Sequence, residues 1–359
     1  MLHFILKRLW YGILVLFGVI VVVFLLFNVL PGDPARMMLG QRADSASVAT
    51  INRDLGRDRP LPVQFLNYLN DLSPVSVHNR TRQESMWYLD PAKYGKTISL
   101  LKAGNATVVI KEPYLRRSYQ SKRPVSGILA EGFLNTVILA VVAMAFAILA
   151  GIAIGILCAV YRNSLVDRLS LIFSVLGMSL PSFFIAILNA WIFAFVLVRF
   201  TGLNLSGSLY AVDDFGRGTY IEIKNLILPA LTLAIRPLAI IVELTRNSLL
   251  DVLTQDYIRT ARAKGLSKSR IFLKHALKNA LNPVVTAVSG WLASLLAGAV
   301  FVEYVFDWKG IGVVIVNALD KYDFPVVMGA VLFISIILIL INFLVDILYG
   351  MLDPRIRLQ

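Results

Sequence analysis

Apolar residues in this chain gather into long runs rather than into short alternating segments. Six runs reach the length of about 20 residues that a membrane-crossing helix needs: Leu9–Leu30, Phe133–Val160, Leu169–Phe200, Leu226–Leu250, Pro283–Val302 and Val326–Met351. The pattern predicts an all-α membrane protein with six transmembrane helices. The third run is too long for an untilted crossing and contains Pro181, which predicts a kink or a strong tilt. Pro229 and Pro237 predict a bend in the fourth. The first run follows Lys7 and Arg8 as a signal peptide would, but it exceeds the roughly 7–15 residues of a signal core and no small-residue cleavage site follows. It reads as a retained first helix.

The polar segments between the runs set the orientation. Short cytoplasmic loops carry the excess of Lys and Arg. Lys7 and Arg8, Arg162 and Arg168, a dense basic set in 251–282, and Arg355 and Arg357 place residues 1–8, 161–168, 251–282 and 352–359 inside, with both termini cytoplasmic. Loop 303–325 balances Lys309 and Lys321 against Glu303, Asp307, Asp320 and Asp323, and loop 201–224 sets Arg217 and Lys224 against Asp213, Asp214 and Glu222. Segment 31–126 falls outside and is basic, with Arg36, Arg42, Arg53, Arg57, Arg59 and ten more Lys or Arg. Loops beyond about 60 residues escape the charge rule. Within the segment, Ile98–Ala103 and Ala106–Lys111 flank Gly104–Asn105, which predicts a β-hairpin in a small extracytoplasmic cap. The organisation is therefore 1–30, tail and first helix; 31–126, the outer segment; 127–351, the transmembrane core with loop 251–282; and 352–359, the tail.

Composition narrows the chemistry. Of 359 residues, 57% are hydrophobic and 16% charged, away from the ordinary soluble balance and toward a membrane protein. Net charge is +13, but the basic residues lie mostly outside the apolar runs, so orientation and anionic lipid explain it without a nucleic-acid partner. Cys158 is the only cysteine, and His3, His78 and His275 are scattered. No intramolecular disulfide, four-thiolate zinc site or HExxH pair can form, and no metal or cofactor is expected. Gly95-Lys96-Thr97 imitates the end of a phosphate-binding loop, but Asp90 stands where its first glycine is needed. Leu205-Ser-Gly207 is too short for an ATPase signature. No G-x-S-x-G elbow appears, so no catalytic residues are assigned.

Loop 251–282 carries the distinctive pattern. Arg259, Arg262, Lys264, Lys268, Arg270, Lys274 and Lys278 face only Asp251 and Asp256. Ile258, Ala261 and Ala263 suit a short helix, Gly265 suits its stop, and Ser267 or Ser269 can cap a second helix carrying Ile271, Phe272, Leu273, Ala276, Leu277, Ala280 and Leu281. Two readings follow: a basic amphipathic loop at the membrane surface, or a helix that docks in the groove of a soluble partner.

The spelling Asp-Tyr-Ile-Arg-Thr-Ala-Arg-Ala-Lys-Gly-Leu over 256–266 resembles the coupling loop of the dipeptide/oligopeptide permease family, the membrane subunits of binding-protein-dependent ABC importers. Seven further blocks occur in the order that family has: Leu30-Pro-Gly-Asp-Pro34, Arg59-Pro-Leu-Pro-Val-Gln64, Ser179-Leu-Pro-Ser-Phe183, Leu228-Pro-Ala-Leu-Thr232, Gly298-Ala-Val-Phe-Val-Glu303, Asn342-Phe-Leu-Val-Asp346 and Leu352-Asp-Pro-Arg355. The resemblance covers about 1–70 and 114–359. Residues 72–112 read as an insertion, Trp308-Lys309-Gly310 stands where the family has Pro-Gly, and Glu243 stands where a basic residue is common. The resemblance implies a type I ABC importer permease fold in a bacterial inner membrane, with an extracytoplasmic insert between helices 1 and 2. It also implies a second homologous permease subunit, two ABC ATPase subunits and an extracytoplasmic solute-binding protein as partners, beside membrane lipid. Di- or oligopeptides are the implied cargo. Coupling to the ATPases would run through Tyr257, Arg259, Ala261, Ala263, Gly265 and Leu266, Arg259 pairing with a partner carboxylate and Ala261 and Gly265 permitting close approach.

Polar residues inside membrane runs are functional suspects. Arg236, Glu243, Asn342 and Asp346 read as structural polar positions, with Glu243 and Arg246 able to pair at i,i+3. Ser179, Ser182 and Thr232, beside prolines, are candidates for a translocation path. A secondary, ion-coupled transporter is the alternative; it calls for inverted repeats and midplane carboxylates that the sequence does not display. A membrane enzyme would need a nucleophile and base that are equally missing.

Overall fold

The computed structural model describes residues 2–28, 46, 48–49, 52, 58–80, 85, 87–213, 216 and 218–352. The Pro31–Pro34 block, much of the basic set in 31–57, Asp214, Arg217 and the tail 353–359 lie outside the described residues. In chain order the long elements are α1 (Leu2–Asn28), α2 (Leu61–Leu72), β1 (Val75–Asn79), β2 (Ile98–Ala103), β3 (Ala106–Ile110), α3 (Val125–Val160), α4 (Leu165–Ser179) and α5 (Ser182–Asn189). A π-helical stretch, Ala190–Val196, continues α5. There follow β4 (Tyr210–Val212), β5 (Thr219–Ile221), α6 (Lys224–Leu253), α7 (Asp256–Ala263), a π-helical stretch Ile271–Leu277, α8 (Asn282–Gly298), α9 (Val300–Val305), α10 (Ile311–Asp320) and α11 (Phe324–Leu352).

Four described helices are long and apolar enough to cross a membrane: Ile5–Asn28, Val125–Val160, Lys224–Leu253 and Phe324–Ile347. Counting α4 and its continuation as one broken span makes five. Five of the six expected spans are thus met among the described residues by length and apolarity. The fifth apolar run folds as a 17-residue helix, α8, followed by the separate short α9. The third run breaks as its proline requires. Leu180, before Pro181, is driven into extended backbone, and the two halves turn by 115°. The bend expected in the fourth run does not break it: α6 is one helix through Pro229 and Pro237.

The chain divides into two compact units. One comprises residues 11–131 and 314–336. Here the Phe24 ring of α1 meets Phe65 and Tyr68 of α2 at 5.0 and 5.7 Å, and Met328 and Leu332 of α11 complete the cluster. The expected hairpin is present, with positive φ on Gly104. A third strand, β1, pairs with β3, giving the antiparallel order β1-β3-β2. The inward face carries Ser76, His78, Thr107 and Val109, while Val75, Val77, Ile98, Leu101 and Ile110 are exposed. Asp71 organises the residues beneath the sheet: Lys93 Nζ and Tyr94 OH donate to its carboxylate at 2.8 and 2.7 Å, and Lys111 Nζ donates to its carbonyl at 2.5 Å. The remaining chemistry lies in the second unit.

That second unit comprises residues 1–10, 132–313 and 337–359. Its centre is α6, against which α3 packs through Gly151 and Gly155. A Cβ on Gly151 would stand 2.8 Å from Ile241 Cγ2, and one on Gly155 would stand 2.6 Å from Thr245 Cβ and 2.9 Å from the Val242 carbonyl oxygen. This is the small-residue contact that lets membrane helices approach backbone to backbone. The surrounding core contains Leu139, Ala143, Ala147, Leu228, Ala234, Ile241, Phe306 and Trp308.

Candidate functional site

The loop after α6 is built around one helix stop. Gln255 is extended and α7 begins at Asp256. At the other end Gly265 has φ +71, its N–H donates to the Arg262 carbonyl at 3.0 Å, and the Leu266 N–H donates to the Ala261 carbonyl at 3.3 Å. These two bonds are the Schellman arrangement, which needs a left-handed residue at Gly265. Leu266 returns to pack with Ile258 and Ala261 in a cluster that also holds Ala159, Leu249, Ile271, Ala276 and Ala280. The apolar edge of α7 is thereby fixed to the rest of the unit, and its polar face is free to meet another surface.

That division sorts the predicted coupling residues. Tyr257, Arg259, Ala263 and Gly265 are exposed. Ala261 is buried in the chain's own cluster, and Leu266 is half-buried there. Tyr257 is steadied by a bond from Asn279 Nδ2 to its hydroxyl at 3.0 Å. Arg259 pairs with Asp256 at 3.3 Å, but both side chains are largely in solvent, where such a pair contributes little and yields readily to another partner. The second helix expected after Ser267 is not a regular α-helix. Ser267 Oγ accepts from the Arg270 N–H at 3.4 Å, and the π-helical stretch follows. The wider turn brings Ile271 and Ala276, five apart, onto the buried side.

The polar residues of the apolar runs mostly find partners between helices. Arg236 Nη2 donates to the Leu180 carbonyl at 3.0 Å, satisfying the backbone acceptor at the Pro181 break. Thr232 is buried and accepts from Asn189 Nδ2 at 3.0 Å, and Ser179 Oγ donates to the Val175 carbonyl of its own helix at 2.8 Å. Ser182 is half-buried at the start of α5. Asp346 pairs with Arg8 at 3.2 Å, Asn342 is exposed, and Glu243 is half-buried. The expected Glu243–Arg246 pair does not form. Arg246 Nε and Nη2 instead donate to Asp167 Oδ1 and Oδ2 at 2.5 and 2.9 Å. Two parallel charge-assisted bonds outweigh one i,i+3 contact. Asp167 also lies in the first turn of α4 and accepts from the Asn163 N–H at 2.9 Å.

A second constellation was not singled out from sequence. Glu303 is fully buried. Thr136 Oγ1 and the Gly312 N–H donate to its two carboxyl oxygens, each at 2.6 Å, and the Ile311 N–H donates to Thr136 Oγ1 at 2.9 Å. Trp308, also buried, donates from Nε1 to the Asn135 carbonyl at 3.0 Å, and Asn135 Nδ2 donates to the Lys309 carbonyl at 2.8 Å. Gly310 and Gly312 are required here: a Cβ on either would run into the Glu303 carboxyl group, and on Gly312 also into the Val300 backbone. The departure at Trp308-Lys309-Gly310 thus closes a loop onto α3. The signal available in the sequence was Glu303 ending an apolar run, with glycines seven and nine residues on.

Comparison with known proteins joins these pieces. The family described as binding-protein-dependent transport system inner membrane component matches residues 151–358, and its N-terminal companion matches residues 1–85. The chain belongs to that family. The permease is 38% identical to the glutathione transport system permease protein GsiC of Pectobacterium atrosepticum, over 99% of each chain. It is equally similar to GsiC of Salmonella typhimurium, and 35% identical to the dipeptide transport system permease protein DppB of Alkalihalophilus pseudofirmus over 99% of this chain and 100% of that one. Among solved structures, an inward-facing form of the MetNI methionine ABC transporter aligns with TM-score 0.48 and 20% identity, covering 64% of this chain and 97% of that one. The permease is a non-catalytic, multi-pass inner-membrane component of an ABC importer, with ATP hydrolysis on partner subunits. The ion-coupled alternative is set aside.

Proposed function

We propose that the permease carries di- or oligopeptides, or a small peptide such as glutathione, across the inner membrane, driven by ATPase subunits that grip the exposed face of α7. The observation that carries the coupling role is the split of that helix: Ile258 and Ala261 are buried in the permease, and Tyr257, Arg259 and Ala263 are exposed. A helix anchored on one side and open on the other can hand a displacement from a soluble partner to the membrane bundle. Transmission requires the partner to bind α7 differently in its two nucleotide states. The basic exposed face suits an acidic cleft. Cargo is supported by relatives named for glutathione and dipeptide transport.

Six crossings are part of the same reading, with α4–α5 as one broken span and α8–α9 as another. Both termini lie in the cytoplasm, segment 31–126 lies outside with the insert 72–112, and a second homologous permease completes the pore. Ser179, Ser182 and Thr232, at the α4–α5 break and beside it, remain the proposed path. The test is uptake by the permease purified with its ATPases and solute-binding protein. Gly265→Pro demands φ near −65° where +71 is required and deletes the N–H that bonds Arg262. Arg259→Glu reverses one exposed charge. Loss of uptake with ATP hydrolysis retained supports the reading; unchanged uptake in both variants removes it.

A further inference from the structure

One stripe of α6 carries two opposite charges that no ion pair uses. Arg236 and Glu243 are two helical turns apart and share a face, with Ile240 between them and Asn247 beyond. Both lie about 15 Å or more inside the ends of α6. We propose that they hold the two ends of a zwitterionic peptide of about three residues as it crosses, Arg236 the terminal carboxylate and Glu243 the terminal ammonium. This rests on the peptide-importer reading and adds the side chains that grip the cargo.

Both groups have bonding capacity to spare. Arg236 Nη2 donates to the Leu180 carbonyl at 3.0 Å, while its Nε is enclosed with no hydrogen-bond partner among the described residues. Glu243 is half-buried and, among the described residues, neither accepts a hydrogen bond nor forms an ion pair. Arg246, one turn on, acts on it only through space, because Asp167 already holds that guanidinium with both carboxylate oxygens. A rise of about 10 Å keeps Arg236 and Glu243 from satisfying each other. An open donor and an open carboxylate at membrane depth are costly until a partner arrives.

The setting favours water and cargo over lipid. Leu180 and Pro181 are extended where α4 and α5 turn by 115°, and irregular backbone at membrane depth is tolerated only inside protein or along a water-filled cavity. Ser179 and Pro181 are exposed at that break, and Arg236 is bonded to it. Length selects the ligand. An extended chain advances about 3.3–3.6 Å per residue, so three residues match the spacing of the two charges and a dipeptide, at about 7 Å, falls short. A single ion would neutralise only one of the pair.

The permease, assembled with its second permease and ATPases in nanodiscs but without the solute-binding protein, would be irradiated with Ala-photoleucine-Ala and mapped by mass spectrometry. Adducts are expected on α6 between Arg236 and Glu243 and at the Ser179–Ser182 break. Trialanine should displace the probe at about tenfold lower concentration than trialanine amide, which lacks the carboxylate, or N-acetyl-trialanine, which lacks the ammonium. Arg236→Gln should erase the preference for acid over amide and keep that for free over acetylated amine. Glu243→Gln should do the reverse, and Arg236→Lys should restore much of the acid preference. Equal weakening of all three ligands in either glutamine variant marks a structural role and overturns the proposal. So does loss of the second permease from either variant on purification, which would make the stripe a subunit contact. No adduct on α6 in a transporter that takes up trialanine overturns the site and leaves peptide cargo standing; neither adduct nor uptake removes both.

Discussion

Truncating Glu303 to alanine tests whether the loop after α9 is held by a buried carboxyl group or merely packed. The substitution takes away the acceptor of the Gly312 N–H and one partner of Thr136. Thr136 keeps the Gly132 carbonyl at 3.3 Å and the Ile311 N–H, so the main orphan is the Gly312 N–H. An unsatisfied buried donor costs about 1–3 kcal/mol. The four heavy atoms beyond Cβ also leave a fully enclosed site, adding about 1–2 kcal/mol of cavity cost on the scale of core truncations. The sum is roughly 2–5 kcal/mol, and at about 2 °C per kcal/mol for a chain of this size the unfolding midpoint should fall about 4–10 °C. Glu303→Gln keeps the volume, can present its oxygen to Gly312, and can donate its amide to Thr136 Oγ1; its cost should stay under about 1.5 kcal/mol. Thermal unfolding of both variants in detergent, followed by tryptophan fluorescence, reads the difference. Alanine within about 0.5 kcal/mol of wild type, or glutamine as damaging as alanine, would refute the reasoning.

Three further outcomes follow from the packing and the charges. Gly155→Ala puts a methyl group against Thr245 Cβ and the Val242 carbonyl and should cost about 1–3 kcal/mol in thermal unfolding, whereas Gly127→Ala on the same helix meets nothing within 4 Å and should be neutral or stabilising. Asp167→Ala strips the partner from a largely buried Arg246 and should lower stability by about 3–5 kcal/mol, more than Asn342→Ala at an exposed position. Burial, reinforced by Lys111, holds the His78 imidazole below its ordinary 6.5, and burial brings the Lys111 ammonium down to about 8 from 10.5. Both groups bind protons more weakly folded than unfolded, so their contributions are present at high pH and fade as pH falls, first through about 8 and then below 6.5. The unfolding midpoint should therefore drop on acidification from pH 7 to 5, and His78→Gln should flatten that limb.

What the sequence discloses here follows from range. Apolar runs are long-lived signals because every residue in a run faces the same solvent, and Gly104–Asn105 and Gly265 are legible because a turn or a helix stop is a local demand on φ. Ala261 lies three residues from Ile258, so helix phase alone places it on that residue's buried side. Asp167 and Arg246 are 79 residues apart, and no local pattern announces that pair over Glu243. The π-helical stretches have no reliable residue signature, so the register of Ile271 and Ala276 was missed. Gly151-Ile-Ala-Ile-Gly155 was readable as a close-packing motif, since its spacing alone aligns two small residues.

The proposed coupling requires that α7 meet an ATPase subunit with one face only. Photo-crosslinking side chains at Tyr257, Arg259 and Ala263, compared with Ala261→Cys carrying a short crosslinker, test it in the assembled transporter. Adducts to an ATPase subunit are expected from the first three positions and none from Ala261. ATPase adducts from Ala261, or none from any exposed position of α7, would contradict it.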